Sequence, residues 1–206
     1  MKKAVIIIGV VVVVLLATMI AVPLIFKDQI YKKALEKANE MVDAKVELDG
    51  VNLSLFKSFP KVYAELDGLR IIGKGDFAND TLVSVGSVAT TVNLSSLWHL
   101  DKGIDVNEII VNNPKVALKV NKAGKSNWDI TTPSEQPATT DTTASEMQLN
   151  LDKISVHNLA LSYTDESTPM FFSMENGEFN LSGTMDGANS TLKTDAQVKN
   201  ITFDYQ

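Results

Sequence analysis

The first 26 residues differ in pattern from the rest of the chain. From Ala4 to Phe26 there is no charged residue, and a helix of this length, rising about 1.5 Å per residue, spans a hydrocarbon core roughly 30 Å thick. A cleaved secretory signal is the alternative, but its apolar stretch covers only about 7 to 15 residues and ends at small residues. This stretch keeps large residues up to Phe26, so the pattern favours an uncleaved single-pass membrane anchor.

The segment after the anchor has a helical pattern. Apolar residues recur at helical spacing between residues 27 and 42, with charged residues between them, which predicts an amphipathic stalk. The stalk either lifts the following sequence off the bilayer, which is the favoured interpretation, or lies on the lipid surface. Lysines lie on both sides of the anchor, so positive charge does not settle its orientation. The only support for a cytoplasmic N-terminus is the short start Met1-Lys2-Lys3.

After Asp43 the apolar residues recur at every second position, which is typical of β-strands. The alternation slips by one residue in a repeated template, apolar-x-apolar-x-x-apolar-x-apolar. The template is filled by Val46, Leu48, Val51 and Leu53; by Ala64, Leu66, Leu69 and Ile71; by Val83, Val85, Val88 and Thr90; by Ile104, Val106, Ile109 and Val111; by Leu149, Leu151, Ile154 and Val156; and by Ala196, Val198, Ile201 and Phe203.

The slip keeps the apolar residues of one template on one face only if an extra residue is inserted, as a β-bulge or a two-residue turn. Asp-Gly at positions 49–50 and 67–68 suits a type I′ turn, but Asn107-Glu108 and Lys199-Asn200 at equivalent places do not. We therefore expect bulges in continuous strands. Because bulges bend strands, a sheet with one in strand after strand is expected to be curved.

Short turn segments separate most of these strands and predict an antiparallel meander. The expected fold is therefore mainly β. It consists of an N-terminal transmembrane helix followed by a curved, antiparallel, bulged sheet that forms an open apolar groove. The stretch from Leu94 to Gly103 breaks the alternation, and it predicts a short helical plug at one end of the sheet.

Residues 131–146 contain Pro, Ser, Thr and acidic residues without a large apolar side chain, so they predict a disordered linker. The strand template resumes at Met147, which indicates an insertion between repeats and not a boundary between unrelated domains. The strand pattern continues to Gln206 on an apolar edge strand. Such an edge invites pairing, so we expect a truncated chain, and pairing with a partner would give the same pattern.

Composition and chemistry narrow the function. A formal net charge of -6 argues against a nucleic-acid surface, which needs clustered Lys and Arg. There is no cysteine, and His99 and His157 lack the spaced ligand partners that a metal site needs. No nucleophile or phosphate-loop motif is found. The sequence therefore predicts a protein without a cofactor, metal or enzymatic activity.

Several short motifs follow one another between Val92 and Trp128. They are a leucine-containing turn (Leu94, Leu97, Leu100), the start Gly103-Ile104-x-Val106, a step to Pro114, alternation through Val116, Leu118 and Val120, and Gly124-x-x-Asn127-Trp128. In this order they resemble the N-terminal module of the AsmA-like family of bacterial envelope proteins. The N-terminal apolar span and the earlier strands fit the same module, although the family's members are usually much longer.

The resemblance implies a single-pass protein of the bacterial inner membrane with its bulk in the periplasm. It implies a bridge-like lipid-transfer fold that carries phospholipid in its groove and serves outer-membrane biogenesis or maintenance. The groove-lining candidates are Val116, Leu118, Val120, Leu159 and Leu161, which could equally be core. The alternative is a non-catalytic structural or assembly module that binds another envelope protein through its sheet edge.

The expected organisation has five parts. Residues 1–26 form a cytoplasmic start and anchor, 27–42 the stalk, 43–130 the N-terminal β module, 131–146 the linker and 147–206 further β-sheet repeats.

Overall fold

The computed structural model describes residues 10, 17, 21, 25, 28–29, 31–33, 35–58, 61–93, 106–131, 153–186 and 189–205. Most of the predicted anchor therefore lies outside the described residues. No helix within the described part of the chain is both long and apolar enough to cross a membrane. The predicted plug at Leu94–Gly103 and residues 132–146 of the predicted linker also lie outside the described residues.

The described strands form one ten-stranded sheet, which confirms the mainly β prediction. The strands are β1 (Lys45–Glu47), β2 (Gly50–Ser54), β3 (Lys61–Ile72), β4 (Thr81–Asn93), β5 (Val106–Asn112), β6 (Lys115–Val120), β7 (Lys153–Asp165), β8 (Met170–Asp186), β9 (Asn189–Gln197) and β10 (Asn200–Tyr205). A single turn of 3-10 helix, Gly75–Phe77, lies between β3 and β4.

Three pairs of short strands each behave as one interrupted strand. The first pair, β1 and β2, lies beside β3; the second, β5 and β6, lies between β4 and β7; the third, β9 and β10, lies beside β8. The register is unchanged across each interruption. For example, Lys45 of β1 pairs with Ile72 of β3, and Gly50 of β2 pairs with Asp67 of β3. Five residues forward along β1 and β2 therefore correspond to five residues back along β3, as in one unbroken antiparallel strand. The described sheet is therefore seven strands wide.

The sheet is mixed, so the prediction of a wholly antiparallel meander is wrong. Both β5 and β6 run parallel to β7, whereas the other neighbours are antiparallel. Parallel neighbours need a connection of about a dozen residues or more. The chain between Val120 and Lys153 supplies that length, because it contains the polar segment that the sequence marks as an insertion.

An irregularity crosses every strand at the same height, and we call this line the crease. It consists of Asp49, Gly68, Gly86, Asn113, Asn158, Asn176 and Val198. Gly68 and the three asparagines have positive φ angles between 53° and 62°. Glycine and asparagine are the residues that adopt this conformation at least cost.

Five of the six predicted slips match the crease or one further bulge, and the slip at Asp152-Lys153 lies at the limit of the described residues and is not tested. Strands β3 and β4 remain continuous through their slips, and Asn107 is an extra residue in β5, since Thr91 pairs with Glu108 and Val92 with Val106. The slips near Asp49 and Lys199 instead divide a strand in two. The expectation of continuous strands is therefore wrong at these two places, where the gap in pairing takes the place of a bulge.

Side chains in the crease and next to it bind neighbouring strands together. The amide of Asn158 donates to Asn113 Oδ1 at 2.8 Å, and its backbone N–H donates to Glu178 Oε1 at 2.9 Å. His157 Nδ1 lies 2.8 Å from Glu178 Oε2. Two strands away, both terminal nitrogens of Arg70 donate to the Asp49 carboxylate, at 2.7 and 3.1 Å.

A helix covers the edge of the sheet formed by β1. Residues 35–41 are helical, and the Asn39 amide donates to the Val46 carbonyl at 3.0 Å and accepts from the Val46 N–H at 2.9 Å. Tyr31 donates its hydroxyl to the Leu48 carbonyl at 2.9 Å. The helix therefore replaces a neighbouring strand at this edge, which blocks pairing there.

Asn127 lies beside residues 117–119 of β6, where β4 no longer pairs with this strand. Its side chain is buried; Oδ1 accepts from the Lys119 N–H at 2.9 Å, and Nδ2 donates to the Ala117 carbonyl at 2.8 Å. Its own N–H donates to the Lys119 carbonyl at 2.9 Å. The Asn-Trp motif thus supplies the hydrogen bonds that β4 does not give to this part of β6. The neighbouring Trp128 packs against Tyr163, with ring centroids 6.1 Å apart.

Candidate apolar face of the sheet

Apolar residues form rows across the whole width of the sheet. Cross-strand partners share a face, so the pairing registers define each row. The row on one side of the crease contains Val51, Leu66, Val88, Val111, Val156, Phe179 and Ala196, and the row on the other side contains Val46, Ile71, Val83, Val116, Leu161, Met174 and Ile201.

The crease keeps these two rows on one face. In every strand their members are five residues apart, as with Val46 and Val51. An odd spacing would put them on opposite faces of a regular strand, because side chains alternate. Each strand is irregular between the two rows, and Val46, Leu48 and Val51 are all buried. We call the surface that carries both rows the apolar face.

Exposure rises across the apolar face from one edge to the other. Beside the helix, Val46 is 7% exposed and Val51 1% exposed. The middle of both rows is half-buried. At the opposite edge, Ile201, Phe203 and Tyr205 are 64–66% exposed. Contacts among the described strands run between sheet neighbours, so no second layer of described strands covers the apolar face.

The opposite side of the sheet is polar next to the crease, whereas the row beyond contains the buried Ala89 together with Ile110. One row next to the crease contains Asp67, Ser87, Asn112, His157, Glu178 and Gln197. The hydrogen bond from His157 and the backbone N–H of Asn158 lower the pKa of Glu178. Hydrogen bonds from Arg70 likewise hold the pKa of Asp49 below its usual value. The side chains of this row are suited to contact with water.

The five groove candidates lie on β6 and β7. Val116 and Leu161 are direct partners in one row, and Leu118 is paired with Tyr163. Val120 is paired with Asp165 at the far end of the sheet, and Leu159 pairs with Gly177 at the crease. All five are half-buried. The structure therefore brings Val116 and Leu161 into the centre of an apolar row and places Val120 beside a carboxylate.

Sequence analysis missed Met174 and Phe179 as members of the two rows. Their signal was present, since they are five residues apart in β8 as their partners are in the other strands. Among the described residues, no group of three or more His, Cys, Asp or Glu side chains is placed to hold a metal ion.

Comparison with curated proteins gives no significant match. The sequence model of the AsmA family matches residues 1–205. That match covers all the described strands of the sheet, and the chain therefore belongs to the AsmA family.

Proposed function

We propose that this chain is a non-enzymatic protein of the bacterial inner membrane, anchored by residues 4–26, with the sheet in the periplasm. Its apolar face binds the acyl chains of phospholipid and carries them in outer-membrane biogenesis or maintenance. AsmA family membership suggests an envelope-related function. The observation that carries the proposal is the uninterrupted width of the apolar rows, which cross all seven strands without a charged residue.

The free energy of burying an acyl chain on the apolar face is of a size that suits a lipid carrier. Burial of a methylene group is worth about 0.8 kcal/mol, so ten methylenes of one acyl chain on the apolar face gain about 8 kcal/mol relative to water. A bilayer offers the same chain a similar gain, so transfer between bilayer and face is close to balanced. The bent, bulged sheet that the crease favours would form the groove around the chain. No catalytic group is needed.

A second function is supported by the exposed edge. Ile201, Phe203 and Tyr205 project from β10, whose outer side has no described neighbouring strand. An apolar edge strand pairs readily with an added strand. In this alternative the chain is a structural or assembly module that binds another envelope protein.

Photocrosslinking in cells separates the two functions. A photoreactive amino acid is placed at Val116 or Leu161 on the apolar face, and at Lys115 or Ala160 as matched controls one residue away on the polar side. Phospholipid adducts at 116 and 161, absent at 115 and 160, support the lipid function. Protein adducts from position 203 without any lipid adduct at 116 or 161 support the assembly module and refute the carrier.

A further inference from the structure

The apolar face becomes aromatic at the end of the sheet where the turn between β7 and β8 lies. Two residues beyond Leu161 in β7, Tyr163 pairs with Phe172 of β8, and side chains two residues apart in a regular strand share a face. Trp128 packs against Tyr163, with ring centroids 6.1 Å apart, and remains 41% exposed. We call Trp128, Tyr163 and Phe172 the aromatic end of the apolar face.

A carboxylate lies on the apolar face next to the aromatic end. Asp165 is two residues beyond Tyr163 in β7, and its partners in the neighbouring strands are the apolar Val120 and Met170. The Tyr163 hydroxyl donates to Asp165 Oδ2 at 3.5 Å. Asp165 is half-buried. A charged group among apolar side chains is stabilised by a partner of opposite charge.

The turn between β7 and β8 holds this carboxylate in place. Asp165 Oδ1 accepts from the Ser167 hydroxyl at 2.6 Å and from the N–H groups of Ser167 and Thr168 at 2.8 and 3.0 Å. These hydrogen bonds, the one from the Ser167 hydroxyl above all, lower the pKa of Asp165 and keep it ionised near neutral pH. Oδ2 carries the longer bond from Tyr163 and keeps acceptor capacity for a further donor.

Asp165 has no positive partner in the described part of the chain. Lys119 of the neighbouring β6 lies on the opposite face, in the row with Thr164. Its ammonium group pairs with Glu166 at 3.2 Å and with Asp80 at 3.5 Å. None of the ion pairs among the described residues includes Asp165. The apolar face therefore offers an ionised carboxylate beside aromatic rings to a cation from outside.

We infer that the aromatic end binds the ammonium group of a phospholipid headgroup, as in phosphatidylethanolamine. The ammonium group donates to Asp165 Oδ2 and lies against the rings of Tyr163 and Trp128, because aromatic faces attract cations and a hydrogen bond between charged groups is strong. The inference rests on the proposed function, since the acyl chains of the same lipid lie on the apolar face.

The spacing along β7 fits a lipid bound in this way. Leu161 precedes Asp165 by four residues, or about 13 Å at 3.3 Å per residue. The acyl chains of one leaflet cover about 15 Å, which is half the hydrocarbon thickness of a bilayer. A headgroup at Asp165 therefore places its acyl chains over the row that contains Val116, Leu161 and Met174.

Two lipids that differ only at the headgroup nitrogen test the inference. The purified full-length chain is incubated with detergent-solubilised phosphatidylethanolamine, or with its N-acetyl derivative, which has the same acyl chains but no ammonium group. Retained lipid is quantified by mass spectrometry. We expect the chain to retain about tenfold more phosphatidylethanolamine, which is the factor that one hydrogen bond between charged groups supplies.

Three variants assign this preference to the aromatic end. Asp165→Asn removes the charge but keeps an oxygen that accepts from the turn, and we expect it to retain both lipids equally. Trp128→Leu should reduce the preference about threefold. Glu166→Gln, which removes a carboxylate one residue away that pairs with Lys119, is the matched control and should keep the tenfold preference.

The outcomes separate this site from the carrier function. Equal retention of both lipids by the unchanged chain, or a preference that survives in Asp165→Asn, overturns the ammonium site and leaves the carrier function in place. Retention of neither lipid overturns the carrier function and the ammonium site together.

Discussion

Substitution of Gly68 by alanine tests the crease, because two separate costs meet at this residue. Gly68 has φ +62°, a conformation that an alanine adopts at a cost of roughly 1–2 kcal/mol. An added Cβ would also overlap the Asp49 carboxylate, which Arg70 binds through both terminal nitrogens. Asp49 must then move away from Arg70, which adds a further loss of stability. We expect Gly68→Ala to lower the free energy of unfolding by more than the roughly 1–2 kcal/mol of the backbone conformation alone.

Two other glycines separate these costs. Gly75 has φ +57° but an added Cβ would meet nothing within 4 Å, so Gly75→Ala should lose only the conformational part, roughly 1–2 kcal/mol. Gly50 has open space and no positive φ, so Gly50→Ala should leave stability unchanged or slightly raised. Urea unfolding of the full chain, followed by circular dichroism, gives all three values. If Gly68→Ala matches Gly50→Ala, the crease does not need a glycine and our reasoning about it is refuted.

Further predictions concern Asn127, Glu178 and the edge strand β10. Asn127→Ala leaves the Ala117 carbonyl and the Lys119 N–H without their side-chain partner, so we expect a loss of about 2–4 kcal/mol in urea unfolding; a loss below that of the half-buried Asn121→Ala, whose side chain accepts from the Ala123 and Lys125 N–H groups, would contradict it. Because the pKa of Glu178 is lowered in the folded state, its contribution is present above the usual value of about 4.5 and is lost as the pH falls through the lowered value. Glu178→Gln should therefore flatten the fall in melting temperature between about pH 5 and pH 3, and an unchanged slope would contradict this cause. Phe203→Lys on β10 should reduce self-association measured by analytical ultracentrifugation, whereas Lys193→Glu on the exposed β9 serves as the control; equal association of both variants would show that the apolar edge is not responsible.

The sequence predicts the strands and their common slip, because side-chain alternation and its interruption are local properties. The odd spacing of Val46 and Val51 requires an irregularity whatever the strand order. Strand direction is not local. The parallel pairing of β5 with β7 depends on where the chain returns after Val120, and nothing in the alternation of either strand specifies it.

The candidate site could be predicted only in part for the same reason. Val116 and Leu161 are evident as apolar strand positions, but their direct pairing depends on the parallel register. Val120 has the same local pattern as Val116, yet its partner across the strands is Asp165. The role of Asn127 could not be read from its motif, since its hydrogen bonds are made to β6, which precedes it in the chain.

The carrier function is tested most directly by measuring the phospholipid that remains bound to the purified full-length chain. Val111→Asp puts a carboxylate into the centre of an apolar row, whereas Asn112→Asp puts the same charge one residue away on the polar side. Both variants are first checked for a wild-type circular dichroism spectrum, and bound phospholipid is then quantified by mass spectrometry. The proposed function predicts that Val111→Asp loses bound phospholipid and Asn112→Asp retains it. Equal amounts of phospholipid on both variants would contradict the role of the apolar face.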